Sequence, residues 1–130
     1  MPEFSEAPAS VREYCDLRDA SGLGAFPEEN ARIGLSNTLT GVWLREEGPL
    51  IAMARIIGDG GCFAQVTDVA VHPDFQRQGL GAKVMAEILK QAHERLPKNL
   101  YLSLIADPGA ENLYVKFDFE PRHGMSVILQ

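Results

Sequence analysis

The stretch Val69–Met85, VAVHPDFQRQGLGAKVM, constrains this chain more than any other. The β-branched Val69 and Val71 run into His72-Pro73, a pair that ends a strand because proline has no N–H to give a sheet. A polar loop with two glycines follows, Gln76-Arg77-Gln78-Gly79-Leu80-Gly81. Then Leu80, Val84, Met85, Ile88, Leu89, Ala92 and Leu96 recur at helical spacing, with Lys83, Glu87, Lys90, Glu94 and Arg95 on the other face. A strand that feeds a helix through such a turn presents unpaired N–H groups and a partial positive charge at the helix start. Gly79 and Gly81 let the backbone curl around an anion, and Arg77 adds charge. No Gly-Lys-Ser/Thr follows, so this is not a Walker loop, and a dinucleotide fingerprint would need glycine where Val84 stands. The loop alone fits a plain strand-to-helix turn equally well, and His72 before proline reads as turn chemistry.

The rest of the chain arranges itself around this unit. Ser10 and Glu13 form a capping-box pair for a first helix that ends near Gly22 or Gly24. Pro27 opens a second helix, from Glu28 to about Leu39. Thr40–Arg45, Leu50–Ile57 and Phe63–Val71 read as an antiparallel meander, with turns at Glu46–Pro49 and Gly58–Gly61. Pro97 ends the long helix, Leu100–Ala106 reads as a strand, and Pro108–Lys116 as a short helix. Phe119–Gln130 reads as two last short strands around Gly124. A helical crossover between Phe63–Val71 and Leu100–Ala106 implies one parallel pair. The expected fold is therefore α/β: a mixed, mostly antiparallel central sheet with helices on both faces, in a single domain over residues 1–130.

The 130 residues are enough to bury a core without disulfides or metals. A net charge of −6 argues against non-specific nucleic-acid binding, which depends on Lys and Arg neutralising phosphates. Cys15 and Cys62 form no CxxC pair and no cluster with His72, His93 or His123, so no metal site is expected. They read as thiols in a reducing compartment. Met1–Ser10 has neither a basic n-region nor an apolar h-region, and no apolar run approaches the ~18 residues that span a bilayer. A soluble, cytoplasmic protein is expected.

With the strand before it and the helix after it, the glycine loop resembles the acetyl-CoA signature of the GCN5-related N-acetyltransferase (GNAT) superfamily, Gln/Arg-x-x-Gly-x-Gly/Ala. Here it stands as Gln76-Arg77-Gln78-Gly79-Leu80-Gly81 after Val71-His72-Pro73. A second segment, Leu113-Tyr114-Val115-Lys116-Phe117-Asp118-Phe119, is similar to the family's Leu-Tyr-x-Lys-x-Gly-Phe. The resemblance is strong from about Val66 to Glu120. Asp118 replaces the family's glycine at a helix end, and Asp107 stands where many members carry an asparagine near the cofactor. Aspartate tolerates a left-handed cap better than most residues.

The resemblance implies acetyl-CoA as the acyl donor, with its pyrophosphate on the N–H groups of Gln76, Arg77, Gln78, Gly79, Leu80, Gly81 and Ala82. It implies that the pantetheine arm pairs, like an added strand, with Val69, Ala70 and Val71 at a splayed parallel pair. An N–H near Val69 would polarise the thioester carbonyl, a donor typically worth ~3 kcal/mol. Tyr114 matches the tyrosine that family members aim at the sulfur and is the candidate general acid.

The base stays open. Gln65 stands where members often carry Glu or His, and it can orient water. Thr67 is similar. Asp68 is the nearest carboxylate, but strand alternation turns it to the opposite face unless a bulge rotates it. Glu28 and Glu29 are further candidates. The acceptor pocket is expected between the N-terminal helices and the last strands, near Phe26, Trp43 and Phe63, with Glu28, Glu29 or Asp118 holding a cationic amine. The expected activity is transfer of an acetyl group to a small-molecule primary amine by direct attack. A peptide or protein amine, or a non-catalytic CoA-binding sensor, are the alternatives. The resemblance also implies a homodimer.

Overall fold

The computed structural model describes residues 1–130. Ser10 caps the first helix, α1 (Val11–Ala20): its Oγ accepts from the Glu13 N–H at 3.1 Å, and Glu13 Oε1 accepts from the Ser10 N–H at 3.0 Å. Each bond satisfies an orphan donor of the first turn. The second helix, α2 (Glu28–Ser36), is shorter than its sequence implies. Asn37 donates its side-chain N–H to the Ile33 carbonyl at 2.8 Å, and Arg55 donates to the Gly34 carbonyl at 3.0 Å. A guanidinium at the negative end of the helix fixes where it stops.

Five strands form one sheet in chain order: β1 (Glu3–Phe4), β2 (Thr40–Arg45), β3 (Leu50–Gly58), β4 (Phe63–Val71) and β5 (Tyr101–Ser103). All neighbours are antiparallel except β4 and β5, which are parallel. At the β3–β4 turn, Asp59 Oδ1 accepts from the N–H groups of Gly61, Cys62 and Phe63. The crossover helix between β4 and β5, α3 (Leu80–Arg95), buries Leu80, Val84, Met85 and Ile88. These pack on Val42, Leu44, Ala54, Ile56 and Val66 to make the larger core. On the opposite face, Tyr14 and Leu17 of α1 and Ala31 of α2 pack on Trp43, Met53 and Ala70. A fully buried side chain of this size contributes roughly 1.5–3 kcal/mol, so both helical layers are held by the sheet between them. No helix is long and apolar enough to cross a membrane.

Two expectations fail at the C-terminal side. β5 covers Tyr101–Ser103 rather than Leu100–Ala106, and the last helix, α4, covers Glu111–Val115. Phe119–Gln130 forms no strand. Its residues suit a strand, but apart from the Phe119 N–H, which donates to the Tyr114 carbonyl at 3.4 Å, no neighbouring backbone takes up their N–H and C=O groups, and a strand exists only as a paired element.

Candidate active site

β4 and β5 are paired only over Phe63↔Tyr101, Ala64↔Leu102 and Gln65↔Ser103. Beyond Gln65 they part, and a cleft of about 210 Å³ opens between them.

The parting coincides with a bulge. Arg55 of β3 faces Thr67, and Met53 faces Ala70, so Ala54 stands opposite both Asp68 and Val69. Asp68 is the extra residue and takes a left-handed conformation, φ +57°. One inserted residue inverts the alternation of a strand. Ahead of the bulge Ala64 and Val66 face α3; after it Val69 and Val71 do, while Ala70 joins the α1 side. Asp68 itself is therefore turned toward α1, on the same face as Thr67.

There it is locked. Asp68 Oδ2 accepts from the Tyr14 hydroxyl at 2.7 Å and from Arg55 Nε at 2.8 Å, and its Oδ1 takes a hydrogen bond from Arg18. Asp68 is 6% exposed. Two guanidinium groups and a phenol hold one carboxylate, which over-determines a backbone conformation costing of order 1–3 kcal/mol. Burial first, and then the bond to Asp68, push the Tyr14 phenol up to about 12, so it remains a donor. Arg55 also donates to Thr38 Oγ1 at 2.7 Å. Arg18 donates to the carbonyls of Gly24 at 2.7 Å and Leu23 at 3.0 Å, and stacks 4.5 Å over the Phe26 ring. The cluster thus ties the bulge to α1, to the end of α2 and to the loop between them.

Leu23, Val66, Val69, Leu104 and Ile105 give the cleft apolar walls. Gln65, Thr67, Asp107 and Tyr114 bring polar groups to it. Tyr114 is half-buried on α4 with its ring against Phe119, and its hydroxyl has no protein partner. Burial, and then the negative charge of Asp107, push its phenol above the ordinary range. The Asp107 carboxylate is exposed, and no protein hydrogen bond engages it. The structure therefore brings Gln65, Asp68, Val69 and Tyr114 to one cleft, but of the two carboxylates there only Asp107 has both oxygens free of protein hydrogen bonds. The sequence marked Asp107 as a departure from a cofactor contact and missed it as a cleft carboxylate; its place seven residues before Tyr114 was the available signal.

The remaining pocket candidates lie elsewhere. Trp43 is buried under α1, and Phe63 lies 64% exposed against Tyr101. Phe26 covers Arg18 from outside. Glu29 pairs with Arg32, Glu28 stands beside it at the start of α2, and Asp118 sits at the end of α4 with φ +70°. That left-handed angle is what a glycine position demands, and aspartate meets it. A larger cavity, about 500 Å³, lies at the other end of the sheet beside Trp43, Gln91 and Arg95. It lies away from the β4–β5 opening and from the start of α3, so the smaller cleft is the better site.

The glycine loop follows β4 and leads into α3, with Gly81 beside Leu113, the neighbour of Tyr114. Gly79 is the N-cap of α3 with φ +77°, no side chain caps the helix, and its first turn carries no acidic residue. The first N–H groups of α3, including those of Leu80, Gly81 and Ala82, are thus left for an anion. Arg77 is also left-handed, at φ +65°. A Cβ on Gly79 would meet nothing within 4 Å, whereas one on Gly81 would lie 3.6 Å from Leu113. Gln76 Nε2 donates to the Val71 carbonyl at 3.1 Å, tying the loop back to β4 and occupying one group of that edge. Val69 and Ala70 have no β5 partner. His72 Nδ1 accepts from the Asp74 N–H at 3.1 Å, the turn role expected of it.

The family model of the acetyltransferase (GNAT) domain matches residues 25–126. A crystal structure of a probable acetyltransferase from meticillin-resistant Staphylococcus aureus superposes with a TM-score of 0.92 at 37% identity, over 99% of this chain and 100% of that one. The uncharacterized N-acetyltransferase ycf52 of Gracilaria tenuistipitata var. liui is 36% identical over 107 residues, 79% of this chain and 58% of that protein. The chloroplastic serotonin N-acetyltransferase 2 of Oryza sativa subsp. japonica is 31% identical over 127 residues, 84% of this chain and 62% of that protein. The chain thus spans about three-fifths of these two curated relatives.

Proposed function

We propose that this chain, which belongs to the GNAT acetyltransferase family, transfers the acetyl group of acetyl-CoA to a small, partly apolar primary amine. The observation that carries this is two features that follow from the parting of β4 and β5. One is an uncapped helix start built on Gly79, suited to a pyrophosphate. The other is a cleft in which the unpartnered hydroxyl of Tyr114 joins the edge of Val69 that β5 leaves unpaired. Acetyl-CoA supplies the activated acetyl group as a thioester.

The residues divide the proton transfers between them. Asp107 accepts a proton from the bound ammonium, leaving a neutral amine able to attack. The Val69 N–H sits at the bulge, where it can stabilise charge on the carbonyl oxygen. Tyr114 gives its proton to the departing thiolate, and the proton that the acylated nitrogen sheds returns the phenolate to phenol through water. Gln65 and Thr67 orient the acceptor or water. Asp68, with both oxygens engaged, shapes the strand and takes no proton.

The cleft volume and its walls of Leu23, Leu104 and Ile105 favour a small molecule over a protein chain, and the likeness to a serotonin N-acetyltransferase supports the same class. The unpaired thiols of Cys15 and Cys62 suit a reducing compartment. A panel of primary amines incubated with acetyl-CoA, read by free-thiol release, tests the proposal. Arylalkylamines should turn over. If lysine peptides turn over faster than every free amine, the acceptor class is wrong. If no amine does, and acetyl-CoA raises the melting temperature no more than NAD or ATP, the donor is wrong as well.

A further inference from the structure

Only part of the outer edge of β2 is covered. β1 pairs with it at Glu3↔Arg45 and Phe4↔Leu44, and the Ser5 N–H donates to the Trp43 carbonyl at 2.8 Å. The chain then folds back over the Arg45 side chain, which donates to the carbonyls of Ala7 at 3.3 Å and Pro8 at 3.4 Å. The pairing of β2 with β3 is regular from Thr40 to Leu44. Backbone direction alternates along a strand, so the N–H and C=O of Gly41 point outward as the Trp43 carbonyl does. No backbone bond joins Gly41 to Ser5–Ser10. Gly41 lines the larger cavity, about 500 Å³. A Cβ there would lie 2.6 Å from Trp43 Cζ2, so the position is held as glycine and its backbone stays bare.

Arg95, in the last turn of α3, lines the same cavity. Its Nη1 uses both hydrogens on the protein, donating to Thr40 Oγ1 at 2.9 Å and to Gln91 Oε1 at 3.1 Å. Thr40 Oγ1 donates in turn to Gln91 Oε1, and Thr40 is 4% exposed, so the anchor of the guanidinium is fixed. The Nε and Nη2 groups of Arg95 have no protein partner. Two parallel N–H groups on one edge of a guanidinium match the two oxygens of a carboxylate.

We propose that this cavity binds the carboxyl end of an extended peptide. The terminal carboxylate takes the Nε–Nη2 edge of Arg95, and the penultimate residue exchanges N–H···O bonds with Gly41 as an added strand. The two contacts are neighbours, because Arg95 is anchored on Thr40 and Thr40 adjoins Gly41. Leu35, Leu39 and Trp43 give apolar walls for the peptide's side chains. Glu6, Glu87 and Glu94 outnumber Lys90 and Arg95 around the cavity, which disfavours phosphate and other polyanions and leaves one forked site for a single carboxylate. The site is separate from the acetyl-transfer cleft. Arg95 and the glycine loop stand at opposite ends of α3, about 22 Å apart at 1.5 Å per residue.

The test uses the full chain and an N-acetylated tetrapeptide of three alanines and a terminal leucine, which has no primary amine and so cannot serve as an acetyl acceptor. In calorimetry the free acid should bind with a sub-millimolar Kd, and its C-terminal amide about tenfold more weakly or worse. Free leucine, which offers the carboxylate without an amide, should bind more weakly than the tetrapeptide. Hydrogen exchange at the Gly41 amide should slow when the peptide is bound. Arg95→Gln should weaken the free acid to the level of the amide with an unchanged circular dichroism spectrum, since Arg95 is exposed and Thr40 stays bonded to Gln91. Saturating coenzyme A should leave the peptide's Kd unchanged. No binding of the free acid, equal binding of acid and amide, equal binding of free leucine, unchanged exchange at Gly41, or an Arg95→Gln variant that binds like the parent overturns the proposal. Displacement by coenzyme A overturns it too, because the peptide would then lie in the acetyl-transfer cleft.

Discussion

The Tyr14 hydroxyl donates to Asp68 Oδ2 at 2.7 Å across 54 positions of sequence, and this bond joins the first helix to the bulge that opens the site. Tyr14→Phe should cost about 1–3 kcal/mol in urea unfolding, because it leaves buried acceptor capacity unmet. Asp68→Asn should cost more, about 3–5 kcal/mol, because two guanidinium groups then lose their counter-charge. The double variant should fall short of the sum by at least 0.5 kcal/mol, as coupled partners do. Strict additivity would show that the two residues stabilise the fold separately.

Tyr114→Phe keeps the ring on Phe119 and removes the proton. Turnover should fall ~10²-fold or more, with coenzyme A affinity unchanged. The loss should shrink for an acyl donor whose leaving thiol is more acidic. A stability loss with intact turnover would instead mark Tyr114 as a packing residue.

Asp107→Asn should lower kcat/KM by ~10²-fold if Asp107 takes the ammonium proton. It has a second readout. The Asp107 charge is one cause of the raised Tyr114 phenol, after burial. Removing that charge lets the phenol ionise at lower pH, so the alkaline limb of the pH–rate profile should move down. An unmoved limb would separate the two residues.

Glu13 links pH to stability. The hydrogen bond from Arg45 holds its carboxyl at about 2, against an ordinary 4.5. A carboxyl depressed on folding adds stability above its unfolded value and loses it as pH falls toward the folded one. Glu13→Gln should therefore cost roughly 1 kcal/mol at pH 7, given that solvent screens this half-exposed pair. The gap to the parent should close between about pH 4.5 and 2. A gap constant across that window would show that the charge on Glu13 does not carry the loss.

What the sequence discloses follows from how local its causes are. The period of Leu80, Val84, Met85 and Ile88 predicts α3, and Ser10 with Glu13 predicts the start of α1, because both depend on neighbours within a turn. The meander and the single parallel pair follow from turn residues and a crossover length. Asp68 is different: its rotation depends on Tyr14, Arg18 and Arg55, which only the folded chain assembles, so alternation alone places it on the wrong face. The expected pocket aromatics Trp43 and Phe63 fail likewise, since burial and exposure are set by packing partners far along the chain. The tail fails in the other direction: its residues favour a strand, but the backbone that would pair with it is missing from its own fold.

The bulge at Asp68 divides β4 into two segments that are out of phase. The first is registered to the β3 hairpin and to β5, and the second to the helix that follows it. A strand with one phase can absorb small changes of length at its ends. This one carries its adjustment inside: deleting Asp68 would restore simple alternation with Val69 and Val71 still facing α3, at the loss of the carboxylate on which Tyr14, Arg18 and Arg55 converge. A one-residue deletion elsewhere in β4, with the bulge kept, would instead turn the residues beyond it to the other face.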